Sequence, residues 1–187
     1  AGMIAPSLAT MLSFITTDAV ISNELMEKML KEVVEESFNC VTVDGDMSTN
    51  DSLFFMSNGM SGVKITDKEY DDYKEALLYI CQYLSKSMAI DGEGATKLVT
   101  IKVKGAINNS EAKLCASKIA NSPLVKTMFA GCDPNWGRLM ASAGASGADF
   151  NQDNVDIFFN NIHYVKNGII IDLSLEKQVY EIMKNNE

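Results

Sequence analysis

The chain has 187 residues, of which 47% are hydrophobic. That is enough to form the hydrophobic core of one domain, or of one domain and part of a second. Its 25 acidic residues outnumber 16 Lys and Arg, and the net charge of -9 argues against nucleic acid or anionic lipid as a partner. Four widely spaced cysteines and one histidine indicate neither a zinc site nor a disulfide scaffold, and they suit a reducing compartment.

The opening residues carry no charge and superficially resemble a signal peptide, with Ser7-Leu8-Ala9 in the place of a peptidase site. The missing basic start, and the interruption of the apolar core by Gly2 and Pro6, argue against that interpretation. No apolar stretch is long enough to span a bilayer. The sequence therefore predicts a soluble, cytoplasmic protein that binds no membrane.

Strands and helices alternate in the first half of the chain. Short apolar or β-branched runs predict strands at residues 12–17, 40–43 and 53–57. Apolar residues at helical spacing predict a helix from Ser22 to Phe38. The pattern Thr66-Asp67-Lys68-Glu69 matches a capping box and predicts a second helix that ends before Asp91.

The second half begins with the clearest strand pattern, at residues 98–104, where Val99, Ile101 and Val103 alternate with polar residues. Later signals predict helices at 110–121 and 138–145, strands at 125–130, 155–159 and 168–173, and a last helix after Ser174. This mixture predicts an α/β or α+β layered sandwich with mainly antiparallel or mixed sheets and flanking helices. The turn at Gly105 is the favoured lobe boundary, which divides the chain into lobes 10–105 and 106–187.

Familiar catalytic motifs are absent from the sequence. Residues 91–97 lack the first glycine of a phosphate loop, and residues 144–147 are too short for a dinucleotide fingerprint. His163 lies in an apolar, strand-like stretch and is better interpreted as a structural histidine than as a member of a catalytic triad. The features that remain as candidates for a functional site are hydroxyls, carboxylates and tight turns. A Thr hydroxyl that is activated by its own α-amine needs neither histidine nor metal.

Four ordered motifs carry a closer resemblance. They are residues 1–12 followed by 14–18, residues 42–46 with 48–51, residues 91–97, and Gly131 with residues 133–138. In kind and order these motifs resemble the ornithine acetyltransferase family, also called the bifunctional glutamate N-acetyltransferases. The resemblance covers about three quarters of the chain. It implies an N-terminal-nucleophile-like architecture and self-cleavage between Ala9 and Thr10, with residues 1–9 ending an upstream α segment.

The resemblance also implies the site residues and the reaction. Thr10 would be the nucleophile and would bind substrate, and its freed amine, with a reference pKa near ~7.7 to 8.0, would take the hydroxyl proton. Glu93 would bind the ammonium group of the amino-acid substrate. Acetyl would pass from N-acetylornithine to glutamate through an acetyl-threonine ester, releasing ornithine, in arginine biosynthesis. No cofactor or metal is implied, and the use of acetyl-CoA as a further donor stays open.

Other motif residues keep two interpretations. The polar turn at residues 44–51 either supports the site or satisfies its own backbone. Residues 131–138 favour a strand end followed by a Pro-initiated helix that Asp133 caps. Arg138 either clamps a substrate carboxylate or forms an internal ion pair, and we interpret Cys132 as structural.

Two other functions stay open: an N-terminal-nucleophile aminopeptidase of similar architecture and a non-catalytic interaction fragment. In the resembled family, a Thr-Gly oxyanion hole and a substrate-binding Lys lie upstream of Gly2, and a C-terminal segment supplies an Asn and a Thr. We therefore expect this chain to hold a partial active site. The expected partner is the upstream α segment of the same precursor, in a hetero-oligomer of processed chains.

Overall fold

A computed structural model of the protein describes residues 11–46 and 49–187. The chain divides into two compact units, Ala1–Ala95 and Thr96–Glu187, which we treat separately. This division lies before Gly105, the lobe boundary that the sequence favours.

The first unit is a parallel pair of strands with two main helices. Its elements are β1 (Leu12–Thr17), α1 (Asn23–Glu35), a 3-10 helix (Phe38–Cys40), β2 (Ser52–Ser57) and α2 (Tyr70–Ile90). The strands pair in parallel, with Leu12 opposite Ser52 and Thr17 opposite Ser57. Parallel neighbours need a crossover connection, and α1 lies in that connection. The predictions for β1, β2, α1 and the end of α2 are confirmed.

One face of the β1–β2 sheet contributes to the core of the first unit. Ile15 of β1 is buried with Met29 and Val33 of α1, and with Leu77 and Cys81 of α2. The α1 residues lie four apart and the α2 residues also lie four apart, which is the spacing that places side chains on one face of a helix. The core therefore consists of this sheet face and the facing stripes of the two helices.

An ion pair joins the two helices of the first unit at their edge. The Lys74 ammonium lies 3.0 Å from a Glu32 carboxylate oxygen. The hydrogen bond with Lys74 lowers the pKa of Glu32, and the same bond raises the pKa of Lys74. Both side chains are partly exposed, so the ion pair contributes little to the free energy of unfolding. Its main effect is to orient α1 against α2.

The second unit combines four helices with a small antiparallel sheet. Its elements are α3 (Asn109–Ala120), α4 (Pro123–Ala130), α5 (Trp136–Gly144), β3 (Ile157–Phe159), β4 (Ile162–Lys166), β5 (Ile169–Ile170) and α6 (Glu176–Met183), with 3-10 helices at Gln152–Asn154 and Leu173–Leu175. The strand order is β3-β4-β5, and both pairings are antiparallel. Met128 of α4, Val165 of β4 and Val179 of α6 are completely buried in its core.

The predicted strand at residues 125–130 is wrong, because this segment forms α4. The hydroxyl oxygen of Ser122 accepts the N–H of Val125 at 3.4 Å, Pro123 opens the first turn and Gly131 ends the helix. Val125 and Met128 are both buried, at the three-residue spacing of a helix face. A short apolar run fits a buried strand or a buried helix equally well, and the flanking Ser-Pro and Gly decide for the helix.

Two further strand predictions are wrong. Residues 98–104 join none of the described sheets, although Ile101 and Val103 pack against the core of the second unit as their alternation predicts. The segment at residues 40–43 also forms no strand, because Cys40 ends a 3-10 helix in which Phe38 is buried. Alternation identifies the buried side of a segment, but strand formation also requires a neighbouring backbone to pair with.

The second helix begins later than the capping-box pattern predicts. The Thr66 N–H and hydroxyl both donate to the Glu69 carboxylate, at 3.1 and 2.6 Å. These bonds close a turn, and α2 begins only at Tyr70. The Glu69 carboxylate therefore accepts the Thr66 N–H as in a capping box, but one turn ahead of the regular helix, and the Thr66 hydroxyl accepts the N–H of Lys68 in place of that of Glu69.

Candidate functional site

The residue that follows the predicted nucleophile makes hydrogen bonds through both its N–H and its carbonyl. Ala9 and Thr10 lie outside the described residues, and the structure begins at Met11, which is buried in the core of the first unit. The Met11 N–H donates to a carboxylate oxygen of Asp51 at 2.7 Å. The Met11 carbonyl accepts the Ser52 N–H at 2.8 Å. These two bonds extend the β1–β2 pairing by one residue toward Thr10.

Two aspartates of the polar turn before β2 make different kinds of hydrogen bond, one local and one to a distant segment. The Asp44 carboxylate accepts the N–H of Asp46 at 2.9 Å, which is a local turn contact. Asp51, by contrast, reaches a backbone amide 40 residues earlier in the chain. The sequence motif predicts no individual role for Asp51, because only the register of β1 with β2 places it across from Met11. Ser48 of the same motif lies outside the described residues.

Glu93 lies in the tight turn that follows α2. The Asp91 N–H donates to the Ser87 carbonyl at 3.0 Å, and the Ala95 N–H donates to the Gly92 carbonyl at 2.9 Å. Gly94 has a φ of +72°, a conformation that favours glycine. The Glu93 side chain is exposed, and a Cβ built on Gly94 would meet no atom within 4 Å. The turn therefore carries an exposed glutamate next to a glycine in the left-handed conformation.

The face of the β1–β2 sheet that points away from the helices is apolar and exposed. The apolar side chains of this outer face are Leu12, Phe14, Phe54 and Met56, with exposed fractions of 56, 60, 45 and 44%, and Thr16 lies on the same face. The rings of Phe14 and Phe54 stack with centroids 5.2 Å apart. A contiguous apolar patch of this kind marks an interaction surface.

The Asp133 cap prediction is wrong. The motif lies between two helices, since α4 ends with Gly131 as its C-cap and α5 begins only at Trp136. Asn135 occupies the N-cap position of α5, and its side chain makes no capping bond. Cys132 adopts a φ of +52°, so the chain turns sharply directly after α4.

Arg138 makes internal contacts in the second unit. Its Nη1 donates to the Leu124 carbonyl and to the Thr127 hydroxyl, both at 3.0 Å. Its Nη2 lies 3.8 Å from an Asp133 carboxylate oxygen. Of the two interpretations that the sequence left open, this geometry favours the internal one, in which the guanidinium ties α5 to α4.

Cys132 and His163 likewise make structural contacts. The Cys132 thiol donates to the Met183 carbonyl at 3.3 Å. The His163 ring stacks on Phe158 with centroids 4.2 Å apart, and its Nε2 lies 3.4 Å from an Asp156 carboxylate oxygen. Within residues 11–46 and 49–187, no three His, Cys, Asp or Glu side chains group as a metal site would. No helix in this same part of the chain has the length and apolarity needed to cross a bilayer.

Comparison with known proteins places these features in one family. The model of the ArgJ family matches residues 1–187. The chain is 54% identical over 161 residues to the arginine biosynthesis bifunctional protein ArgJ of Dehalococcoides mccartyi, covering 84% of this chain and 40% of that protein. It is 47% identical over 196 residues to the glutamate N-acetyltransferase of Methanocaldococcus jannaschii, covering 100% of this chain and 48% of that protein. The chain thus spans less than half the length of these curated relatives.

A solved structure shares the fold. The crystal structure of the arginine biosynthesis bifunctional protein ArgJ from Bacillus halodurans superimposes with a TM-score of 0.89 at 39% sequence identity. The match covers 94% of this chain and 83% of that chain. The predicted mixed α/β class with flanking helices is confirmed. The chain belongs to the ArgJ family.

Proposed function

We propose that the complete protein is an acetyltransferase of arginine biosynthesis that moves acetyl from N-acetylornithine to glutamate. The observation that carries this proposal is the family match along all 187 residues, which includes Ala9-Thr10 and the Glu93 turn. The relatives named above are a glutamate N-acetyltransferase and an arginine biosynthesis bifunctional protein. The proposed chemistry needs no cofactor, and acetyl-CoA stays open as a further donor.

Maturation is proposed to free the nucleophile. The Thr10 hydroxyl attacks the Ala9 carbonyl carbon, and the Ala9–Thr10 C–N bond breaks as the acyl group moves from nitrogen to oxygen. Water then hydrolyses the ester, which leaves a carboxylate on Ala9 and a free hydroxyl and α-amine on Thr10. While Thr10 remains acylated at nitrogen it has no base to offer, so cleavage precedes transfer.

Acetyl transfer then runs in two half-reactions at one site. The α-amine takes the Thr10 hydroxyl proton as the oxygen attacks the acetyl carbonyl of N-acetylornithine, and that proton passes to the leaving amine of ornithine. The glutamate ammonium next loses one proton, and the neutral amine attacks the acetyl-threonine ester. A new C–N bond forms, the C–O bond breaks, and the oxygen of Thr10 takes the second proton from the attacking nitrogen. An oxyanion hole supplied outside this chain would stabilise each tetrahedral intermediate, at roughly 3 to 4 kcal/mol per donor.

Glu93 is proposed to bind the ammonium group of the amino-acid substrate. Its carboxylate is exposed in the turn after α2, and the space beside Gly94 is open. A charge-assisted hydrogen bond between carboxylate and ammonium would orient the substrate without a metal. This role is common to the transferase and to the aminopeptidase alternative, because both bind a substrate that carries an ammonium group. The acyl acceptor, glutamate or water, distinguishes the two functions.

The upstream segment of the precursor is the proposed partner. The outer face of the β1–β2 sheet exposes two stacked aromatic rings and two further apolar side chains. A contiguous exposed apolar patch is typical of a surface that contacts other protein. Because the curated relatives are more than twice as long as the matched part, their additional residues offer a cover of this kind.

The test uses the full-length precursor, because residues beyond this chain are proposed to complete the site. Wild-type protein should yield two fragments whose masses report cleavage between Ala9 and Thr10, and it should transfer acetyl from N-acetylornithine to glutamate. Thr10→Ala should abolish both, while Thr100→Ala, at an exposed position of the second unit, should preserve both.

The same assay separates the competing functions. Release of acetate that is independent of glutamate would support the aminopeptidase-like alternative, in which water accepts the acyl group. Retained acetyl transfer by the Thr10→Ala precursor would overturn the proposal outright. An intact precursor with no turnover of N-acetylornithine would instead favour a non-catalytic interaction protein.

A further inference from the structure

We infer that Asp51 is a positioning residue for Thr10, acting through the N–H of Met11. The inference rests on the proposed function, in which Thr10 is the nucleophile. Its structural basis is the 2.7 Å hydrogen bond from the Met11 N–H to the Asp51 carboxylate. Asp51 itself need not touch the substrate for this role.

Covalent geometry carries the effect from Met11 to Thr10. The peptide group between residues 10 and 11 is planar, and its six atoms run from the Cα of Thr10 to the Cα of Met11. The Met11 N–H belongs to this plane, so an acceptor that holds the N–H also restrains the Cα from which the Thr10 side chain branches. Only the dihedral angles of Thr10 itself then remain to orient the hydroxyl.

The surroundings make this restraint firm. Met11 is buried, and its carbonyl is held by the Ser52 N–H at 2.8 Å. A carboxylate forms shorter and stronger hydrogen bonds to N–H donors than a neutral carbonyl does. Met11, the residue before β1, thus makes hydrogen bonds through both its N–H and its carbonyl. Their partners are Asp51, the residue before β2, and Ser52, the first residue of β2.

Three other Asp carboxylates of the described residues accept backbone N–H groups. Asp44 and Asp172 each accept an N–H from a residue two positions later, at 2.9 and 2.8 Å, and Asp156 accepts the Asn167 N–H at 2.9 Å. Asp51 instead joins the residue before β2 to the residue before β1, which directly follows Thr10 in the sequence. Asp172→Ala is therefore a matched control that removes an equivalent bond elsewhere.

Four variants of the full-length precursor test the inference: Asp51→Ala, Asp51→Asn, Asp51→Glu and Asp172→Ala. The amide oxygen of Asn can accept the Met11 N–H from nearly the same position, whereas the longer Glu moves the acceptor. Asp51→Ala and Asp51→Glu should slow cleavage at Ala9–Thr10 and lower kcat of the matured enzyme by at least roughly tenfold, since a misplaced group costs that much or more. KM for N-acetylornithine should change less than kcat.

The rescue pattern separates positioning from a purely structural role. Asp51→Asn should recover most of the cleavage rate and of kcat, and Asp172→Ala should match wild type. The inference would be overturned if the cleavage rate and kcat of the four variants simply followed their thermal unfolding midpoints. It would also be overturned if Asp51→Ala and Asp51→Glu cleaved and transferred acetyl at wild-type rates. If Asp51→Ala does not fold, the comparison of Asn with Glu still decides. A wild-type precursor that never cleaves would refute the proposed function instead.

Discussion

Glu93 is the residue at which the proposed substrate contact can be separated from nucleophile chemistry. Replacing its carboxylate with the amide of Gln keeps the shape and removes the charge. A hydrogen bond to a charged group contributes roughly 1.5 to 3 kcal/mol, so Glu93→Gln should raise KM for glutamate by about tenfold to a hundredfold. Steady-state kinetics of the full-length enzyme would measure this change.

Self-cleavage of the Glu93→Gln precursor should proceed at the wild-type rate, because cleavage involves no amino-acid substrate. Glu75→Gln, at an exposed position of α2, serves as the matched control and should leave KM unchanged. An unchanged KM in Glu93→Gln would contradict the substrate role and would leave Glu93 as an ordinary turn carboxylate.

Asp51 and Arg138 show how far single residues could be interpreted from the sequence. Arg138 had two open interpretations, and its contacts with Leu124 and Thr127 support the internal one. Asp51 could not be singled out, because its partner lies 40 residues away and only strand register brings them together. Local patterns identify residue chemistry, whereas a contact between distant segments depends on the fold.

At the scale of elements, the pairing of α1 with α2 includes an ion pair whose strength depends on pH. The bond with Lys74 lowers the pKa of Glu32 below its ordinary value of 4.5. The ion pair therefore contributes to the free energy of unfolding above pH 4.5, and this contribution is lost as the pH falls through the lowered pKa of Glu32 in the folded state. Glu32→Gln should slightly lower the thermal unfolding midpoint at pH 7, and the difference from wild type should shrink below pH 4.5.

Thermal unfolding of the full-length protein at pH 7 and in acid checks this expectation, with Glu75→Gln as the control helix variant. High salt at pH 7 should also reduce the difference, since the pair is partly exposed. A difference that persists unchanged in acid would mean that Glu32 acts through packing and not through its charge.

The elements that the sequence predicted correctly are those with strong local signals. Helix α1 has apolar residues at helical spacing and a Ser22 cap, and β1 and β2 are short apolar runs bounded by polar residues. Residues 125–130 were misassigned because an apolar run alone does not distinguish strand from helix. Residues 98–104 were misassigned because their alternation predicts burial and cannot supply a pairing partner.

At the scale of the whole molecule, the outer face of the β1–β2 sheet is the surface that we propose the upstream segment covers. Expressed alone, these residues should not turn over N-acetylornithine, and they should aggregate or bind an apolar dye. Co-expression with the upstream segment and a family-length C-terminus should restore transfer through a complex of the pieces. Turnover by residues 1–187 alone would show that the oxyanion donors lie within them.

A variant pair locates the contact on this face. Phe14→Ser removes a stacked aromatic ring from the outer face, and Val63→Ser removes an exposed apolar side chain elsewhere in the first unit. Phe14→Ser should sharply reduce the amount of complex recovered after co-expression, while Val63→Ser should not. Equal recovery of both variants would show that the upstream segment binds another surface.

The central claim is that Thr10 carries the acetyl group between donor and acceptor. The most direct measurement incubates the matured full-length enzyme with N-acetylornithine in the absence of glutamate, quenches it in acid and maps the peptides by mass spectrometry. The peptide that begins at Thr10 should carry the mass of one acetyl group and should lose it when glutamate is added before the quench. If the enzyme transfers acetyl at full rate while this peptide never carries the added mass, Thr10 is not the acetyl carrier.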